Sequence, residues 1–227
     1  MKVAAVVPIK ALGEAKTRLS EQLDARERGT LALWLLGRVT YAITSSGVVV
    51  RTAIVSPDRT VQDWARRAGM TALRQDAGDL NAALALGSQW ACDVDAAALL
   101  VVLGDLPLLT EGDVRSLVAR GADLRRQRTS AGIAVLAPDR AGTGTNALLV
   151  SPPQALPFAF GEASRAQHVA LARQHDVALA TYASFGTAFD VDEPADLETM
   201  RHLVRWSPAP GRAVGAPATR RCDERTA

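Results

Sequence analysis

The sequence predicts an α/β protein whose sheet is covered by helices on both faces. Two observations carry this. Short apolar, β-branched runs recur along the chain: VAAVV at 3–7, VVVRTAIV at 48–55, ALLVVL at 98–103, GIAVLA at 132–137, NALLVS at 146–151 and VALATY at 177–182. Longer stretches of helical periodicity separate them, the alternation that a sheet between two helical layers requires.

The elements follow in order. After the first run, Leu23, Leu31, Trp34, Leu35, Val39 and Ile43 recur at helical spacing and Gly47 supplies a stop, so a helix of about twenty residues is expected there. Further helices are expected near 59–68, 79–91, 111–120, 163–175 and 193–205, the last opening on Pro194, a residue tolerated at a first helical position. From Ser207 the chain reads SPAPGRAVGAPATRRCDERTA, rich in Pro, Gly, Ala and Arg without periodicity. Such composition predicts a disordered tail over 207–227 behind one domain spanning 1–206.

Composition narrows the function. With 227 residues, 48% of them hydrophobic, the chain builds one sizeable core. The net charge of +2 resides in the tail, leaving equal numbers of acidic and basic residues elsewhere, so charge gives no case for nucleic-acid binding. Cys92 and Cys222 form neither a disulfide framework nor a zinc motif, which fits a reducing compartment. The first apolar run is broken by Pro8 and Lys10, too short for a signal segment or a membrane span. A soluble, cytoplasmic protein without membrane partners is expected.

Lysine is the unusual residue. Among 26 basic residues only Lys2, Lys10 and Lys16 are lysines, and two of them share the loop VPIKALGEAKTRL, beside Arg18 and around Gly13. Lysine is a compact, flexible point charge, unlike the planar fork of arginine. Acids stand after two other strands. In VVLGDLPLLT, Asp105 follows directly on an apolar run, at a strand's carboxyl end, where open α/β sheets form ligand crevices. In AFDVDEPADLE, Asp190 and Asp192 lie two apart and point the same way in extended backbone. Asp105, Asp190 and Asp192 together suit a hard cation such as magnesium; a turn at Asp105 and a helix cap at Asp192 are the plainer alternatives.

Two further loops carry donors. APDRAGTGTNALLV places Thr145 and Asn146 behind Gly142 and Gly144, suited to an anion or to a hairpin. FAFGEASRAQHVALA places Gly161 before a helix whose first turn holds Ser164, with His168 four residues on; an anion site at the helix start or a simple cap both fit. The chain lacks G-x-x-x-x-G-K-[ST], a convincing G-x-G-x-x-G, G-x-S-x-G and H-E-x-x-H. What remains is phosphoryl-transfer chemistry by positioning and charge neutralisation.

P-I-K and A-K-T-R-L within 8–19, D-L-N at 79–81, G-D-L-P-L-L at 104–109, G-T-N at 144–146, F-G-E-A-S-R-A-Q-H at 160–168 and F-D-V-D-E-P-A-D-L at 189–197 occur in that order. This set resembles the 2-phospho-L-lactate and phosphoenolpyruvate guanylyltransferase family of deazaflavin coenzyme F-420 biosynthesis. The resemblance implies a GT-A-like nucleotidyltransferase fold, three-layer α/β/α with a mixed, mostly parallel sheet. It implies transfer of GMP from GTP to the phosphate of a small three-carbon phosphoacid, with Mg2+ as cofactor and room for a homodimer. By the same resemblance Pro8, Lys10, Lys16, Arg18, Asn81 and Asp105 bind nucleotide; Lys10, Lys16, Arg18 and Asp105 are catalytic; Thr145, Asn146, Gly161, Ser164 and His168 bind the acceptor; and Asp105, Asp190 and Asp192 hold the metal. Another nucleotidyltransferase of this fold, of sugar-phosphate or molybdopterin type, and a non-catalytic nucleotide-binding regulator are the alternatives. The former would carry a glycine-rich G-G-x-x-x-R first loop where this chain has P-I-K-A-L-G-E-A-K.

Overall fold

The computed structural model describes residues 1–127 and 129–206; the expected tail at 207–227 lies outside the described residues. In chain order the elements are β1 (Val3–Pro8), α1 (Ala25–Ser45), β2 (Val49–Ser56), α2 (Arg59–Arg67), β3 (Thr71–Arg74), α3 (Leu80–Asp93), β4 (Ala98–Val102), α4 (Glu111–Gln127), β5 (Gly132–Pro138), β6 (Thr145–Ser151), α5 (Ser164–Gln174), β7 (Val177–Thr181), α6 (Phe185–Ala188) and α7 (Pro194–Leu203). Two 3-10 turns, Leu12–Glu14 and Thr17–Leu19, shape the loop after β1.

The seven strands form one sheet in the order β3-β2-β1-β4-β6-β5-β7. β1 pairs in parallel with β2 and β4, β2 with β3, and β5 with β7, while β6 is antiparallel to both its neighbours. Side chains alternate across the pleat. Val3, Ala5 and Val7 join Leu36, Val39, Trp64, Val114 and Leu117 in a core under α1, α2 and α4. Ala4 and Val6 join Leu84, Trp90 and Ala172 in a second core under α3 and α5. Every residue of β1 and β4 is buried, as a central strand covered on both faces demands.

A third core fixes the working end of the molecule. Leu19 and Leu23 from the loop after β1 pack with Leu31 and Leu35 of α1, with Phe189 and Val191, and with Leu197 and Met200 of α7. This cluster clamps the lysine loop against the segment carrying Asp190 and Asp192. Polar ties add register: Asp58, the α2 N-cap, accepts from Leu12 N at 2.9 Å and from Thr60 N at 2.8 Å, and Arg28 donates to the carbonyls of Ala15 and Leu23. Val191 N donates to Asp105 O at 3.2 Å. Among the described residues no helix is long and apolar enough to cross a membrane.

Helix α3 reaches the cleft because it lies tight on β1. A Cβ added at Gly87 would come within 2.8 Å of both γ-carbons of Val6. Alanine at an ordinary helix position improves on glycine by up to about 1 kcal/mol. Here the overpacking term of about 1–3 kcal/mol is opposed to it, so Gly87→Ala is expected to lower the urea midpoint rather than raise it.

Candidate active site

A cavity of about 540 Å³ opens at the carboxyl edge of the parallel strands, within the range of small-ligand sites. The loop after β1 forms one wall with Pro8, Lys10, Lys16 and Arg18, the end of β2 contributes Val55 and Pro57, Gln75 and Gly78–Leu80 lead into α3, and Leu103, Gly104, Asp105 and Asp192 complete it. This is the crevice geometry of open α/β sheets.

Lys16 dominates the electrostatics. Its Nζ lies 2.9 Å from Asp105 Oδ2 and 2.9 Å from Asp192 Oδ1, with its side chain only 11% exposed. Burial opposes its charge, yet the two carboxylates outweigh that and push its pKa up to about 12. The residue sits in the left-handed region at φ 52°, ψ 41°, a conformation that costs a non-glycine residue about 1–2 kcal/mol. Lys10 is exposed on the cleft wall, and no ion pair among the described residues involves it. Arg18, also exposed, stands 3.8 Å from Glu193 Oε1.

The carboxylates are short of positive charge. Among the described residues, Asp105 Oδ1 is buried without a hydrogen-bond partner. Asp190 is pushed up to about 6, first by burial, then by the charges of Asp105 and Asp192. Asn146, buried at the start of β6, donates to the carbonyls of Thr187 and Ala188 at 3.1 and 3.4 Å and reaches Asp190 Oδ1 at 3.5 Å. Asn146 therefore orients Asp190. Among the described residues no three acidic, histidine or cysteine side chains stand close enough to hold a metal ion as they are. The convergence expected of Asp105, Asp190 and Asp192 is interrupted because Lys16 stands between two of them. The donor set nonetheless fits a hard cation: all ligands are carboxylate oxygens, and one is orphaned. Asp192 does not cap α7; that place belongs to Glu193.

Residues expected on the acceptor side form a buried brace. Asn81, expected on the nucleotide side, instead spans to the loop before α5: its Nδ2 donates to Phe160 O at 3.0 Å and its Oδ1 accepts from Phe160 N at 2.8 Å. One residue earlier, Ala159 N donates to His168 Nε2 at 3.1 Å. That bond fixes the proton of the neutral imidazole on Nδ1, 3.1 Å from Thr145 Oγ1. His168 is fully buried with both ring nitrogens engaged, and Thr145, Asn146 and Ser164 are nearly as covered. In this form they do not line the cavity, and the groups of this loop left exposed are Gly161, at φ 131°, Glu162 and Ala163, the last left-handed at φ 50°. Sequence reasoning missed Asp58 and Arg28, whose partners are backbone groups of the lysine loop. It also missed the Gln75–Gly78 wall, which has no motif of its own.

The sheet order, with one reversed strand beside the central parallel four and a cleft at their carboxyl ends, defines a nucleotidyltransferase fold of the nucleotide-diphospho-sugar transferase type. A putative nucleotide-diphospho-sugar transferase from Desulfovibrio desulfuricans superposes with a TM-score of 0.65 at 16% identity, over 88% of this chain and 87% of that one. A nucleotidyl transferase from Methanothermobacter gives 0.61 at 13% identity, over 89% and 97%. Within that class the match becomes specific: residues 3–203 fit the family model described as "Guanylyl transferase CofC like", and the chain belongs to this family. Phosphoenolpyruvate guanylyltransferases from Rubrobacter xylanophilus and Sphaerobacter thermophilus are each 42% identical over 200 residues, covering 88% of this chain and 94% and 93% of theirs. The 2-phospho-L-lactate guanylyltransferase of Methanothermobacter thermautotrophicus is 32% identical over 200 residues, covering 87% and 83%.

The brace yields two expectations. Asn81→Ala strands the N–H and carbonyl of buried Phe160, so stability should fall by about 1–3 kcal/mol in urea titrations, with loss of protection at the 158–163 amides in hydrogen exchange. For His168, burial lowers the folded pKa from its ordinary 6.5 to about 4, against a smaller opposing effect of the Ser164 carbonyl. The folded state thus refuses a proton that the unfolded chain accepts. The contribution is complete above pH 6.5 and is lost as pH falls toward 4, amounting to as much as about 3 kcal/mol. Unfolding free energies measured between pH 7 and 4 should show this loss, and His168→Gln should flatten it.

Proposed function

We propose that the protein transfers GMP from GTP to the phosphate of a three-carbon phosphoacid, with release of pyrophosphate and with magnesium as cofactor, in the assembly of the deazaflavin coenzyme F-420. The observation that carries this reading is the cavity itself: cations Lys10, Lys16 and Arg18 on one wall, carboxylates Asp105 and Asp192 facing them. Family membership supports it, and the names of the two 42% identical relatives favour phosphoenolpyruvate over 2-phospho-L-lactate as acceptor.

Asp105, Asp190 and Asp192 would hold the magnesium. A cation bound there would supply positive charge toward the phosphates of the nucleotide. Lys10 and Arg18, exposed at the mouth, neutralise the β- and γ-phosphates, and Lys16 adds the deepest positive charge. The acceptor needs no strong base, because a phosphomonoester with a second pKa of about 6 is already mostly dianionic at neutral pH. Gly161 and the Ser164 end of α5 receive the acceptor, and the Asn81 and His168 brace holds their loop in place. Asn146 keeps Asp190 turned toward Asp105. Catalysis on this scheme is alignment of two anions with their repulsion cancelled.

Mass analysis of products from GTP paired in turn with phosphoenolpyruvate, 2-phospho-L-lactate and 3-phosphoglycerate tests the reading. A guanylylated phosphoenolpyruvate with stoichiometric pyrophosphate is expected; no adduct with any of the three would refute it. Asp105→Asn and Asp190→Asn should each abolish pyrophosphate release with little change in Tm, and wild-type rates in either would remove that residue from the mechanism.

A further inference from the structure

The place where the cation is expected already contains a positive charge. Lys16 Nζ makes two equal 2.9 Å contacts, to Asp105 Oδ2 and Asp192 Oδ1, which belong to segments 89 and 176 residues away in sequence. An ammonium so placed does for these carboxylates what a divalent ion would do: it cancels their repulsion and holds them facing. It does so incompletely, since among the described residues Asp105 Oδ1 keeps no partner, and Asn146 reaches Asp190 Oδ1 at 3.5 Å. One ammonium is shared between Asp105 and Asp192.

The mounting of Lys16 is equally particular. Its backbone is left-handed at φ 52° without the relief glycine would give. It sits between two short 3-10 turns, three residues from Gly13, around which there is open space. The loop is tied by Asp58 on Leu12 N, by Arg28 on Ala15 O and by Leu19 in the third core, with Lys16 between the last two. The same side chain lines the cavity beside Lys10 and Arg18. A long flexible stem lets an ammonium leave one anionic partner for another within the same cavity.

We propose that Lys16 is a removable internal stand-in for the divalent cation, holding Asp105 and Asp192 in place in the free enzyme and passing to the triphosphate when the metal-bound nucleotide enters. This rests on the reading of Asp105, Asp190 and Asp192 as the metal-holding set. Two consequences distinguish it from a lysine that serves only the phosphates. In the absence of nucleotide, Lys16 and the metal compete for the same oxygens, so the free enzyme binds metal weakly. With nucleotide present, Lys16 has a new anionic partner to move to, and metal and nucleotide enter cooperatively.

The test reads binding and chemical protection rather than turnover. Mn2+ affinity of the full chain without nucleotide is measured by electron paramagnetic resonance for wild type, Lys16→Met and Lys16→Arg. Lys16→Met is expected to bind Mn2+ at least tenfold more tightly, and Lys16→Arg to stay near wild type. A brief pulse of an amine-acylating reagent, read by peptide mass, follows the side chain directly. The chain has only Lys2, Lys10 and Lys16, and exposed Lys10 serves as internal standard. Lys16 should be protected in the free protein, labelled at least fivefold more at Mn2+ concentrations that saturate the wild type, and protected again when GTP is added without acceptor. Equal Mn2+ affinity in wild type and Lys16→Met, or labelling of Lys16 unchanged at saturating Mn2+, would overturn the stand-in role. In Lys16→Met, loss of Mn2+ binding on adding Asp105→Asn supports the shared site. Its persistence there would instead overturn the metal-holding set, a failure separate from that of the lysine.

Discussion

At the edge of the sheet two carboxylates, Asp105 and Asp192, share one ammonium, with Asp190 near enough to be affected by both, and the segments around it are arranged to make that sharing tolerable. Asp190 feels both its burial and its acidic neighbours: burial first, then the charges of Asp105 and Asp192, push its pKa up to about 6. The backbone segments that carry them are held together by apolar contacts. Leu19, Val191 and Phe189 are fully buried in the third core, and the Val191 to Asp105 backbone bond closes the remaining distance. The segments are thus set by apolar neighbours, and Lys16 bridges two of the carboxylates they carry.

Much of this was legible from the sequence where a single element writes its own signal. The six apolar runs at 3–7, 48–55, 98–103, 132–137, 146–151 and 177–182 all became strands, with ends displaced by a residue or so, because burial on both faces leaves an unbroken apolar run. β3, TALR, escaped notice: it is four residues long, partly exposed and at the sheet's edge, so little burial marks it. α4 runs to Gln127, past the 120 expected, since its last turns are polar and exposed but still helix-forming. α6 is a single turn, set by the Ser184 and Thr187 capping pair rather than by periodicity.

The site was legible in its types and less so in its contacts. Lys16, Arg18, Asp105 and Asp192 announce themselves as charges at strand ends, and they do line one cavity. Asn81 and His168 carry the same kind of label, yet their partners are the backbone atoms of Phe160 and Ala159. Backbone partners leave no mark in a sequence, so a residue that positions a loop reads the same as one that touches a ligand. Lys16 shows the converse: its residue type suggested phosphate, and only geometry reveals carboxylates on both sides of it.

The reach of these contacts also bears on the order in which the molecule comes together. β1, β2, β3 and β4 are joined through successive crossovers and pair between neighbours in the first half of the chain, whereas the Lys16 to Asp192 bond closes a span of 176 residues. Long closures carry the greater entropic cost and are met late in folding. The candidate site is thus seated on contacts between segments far apart in the chain, on a sheet whose four parallel strands all come from its first half.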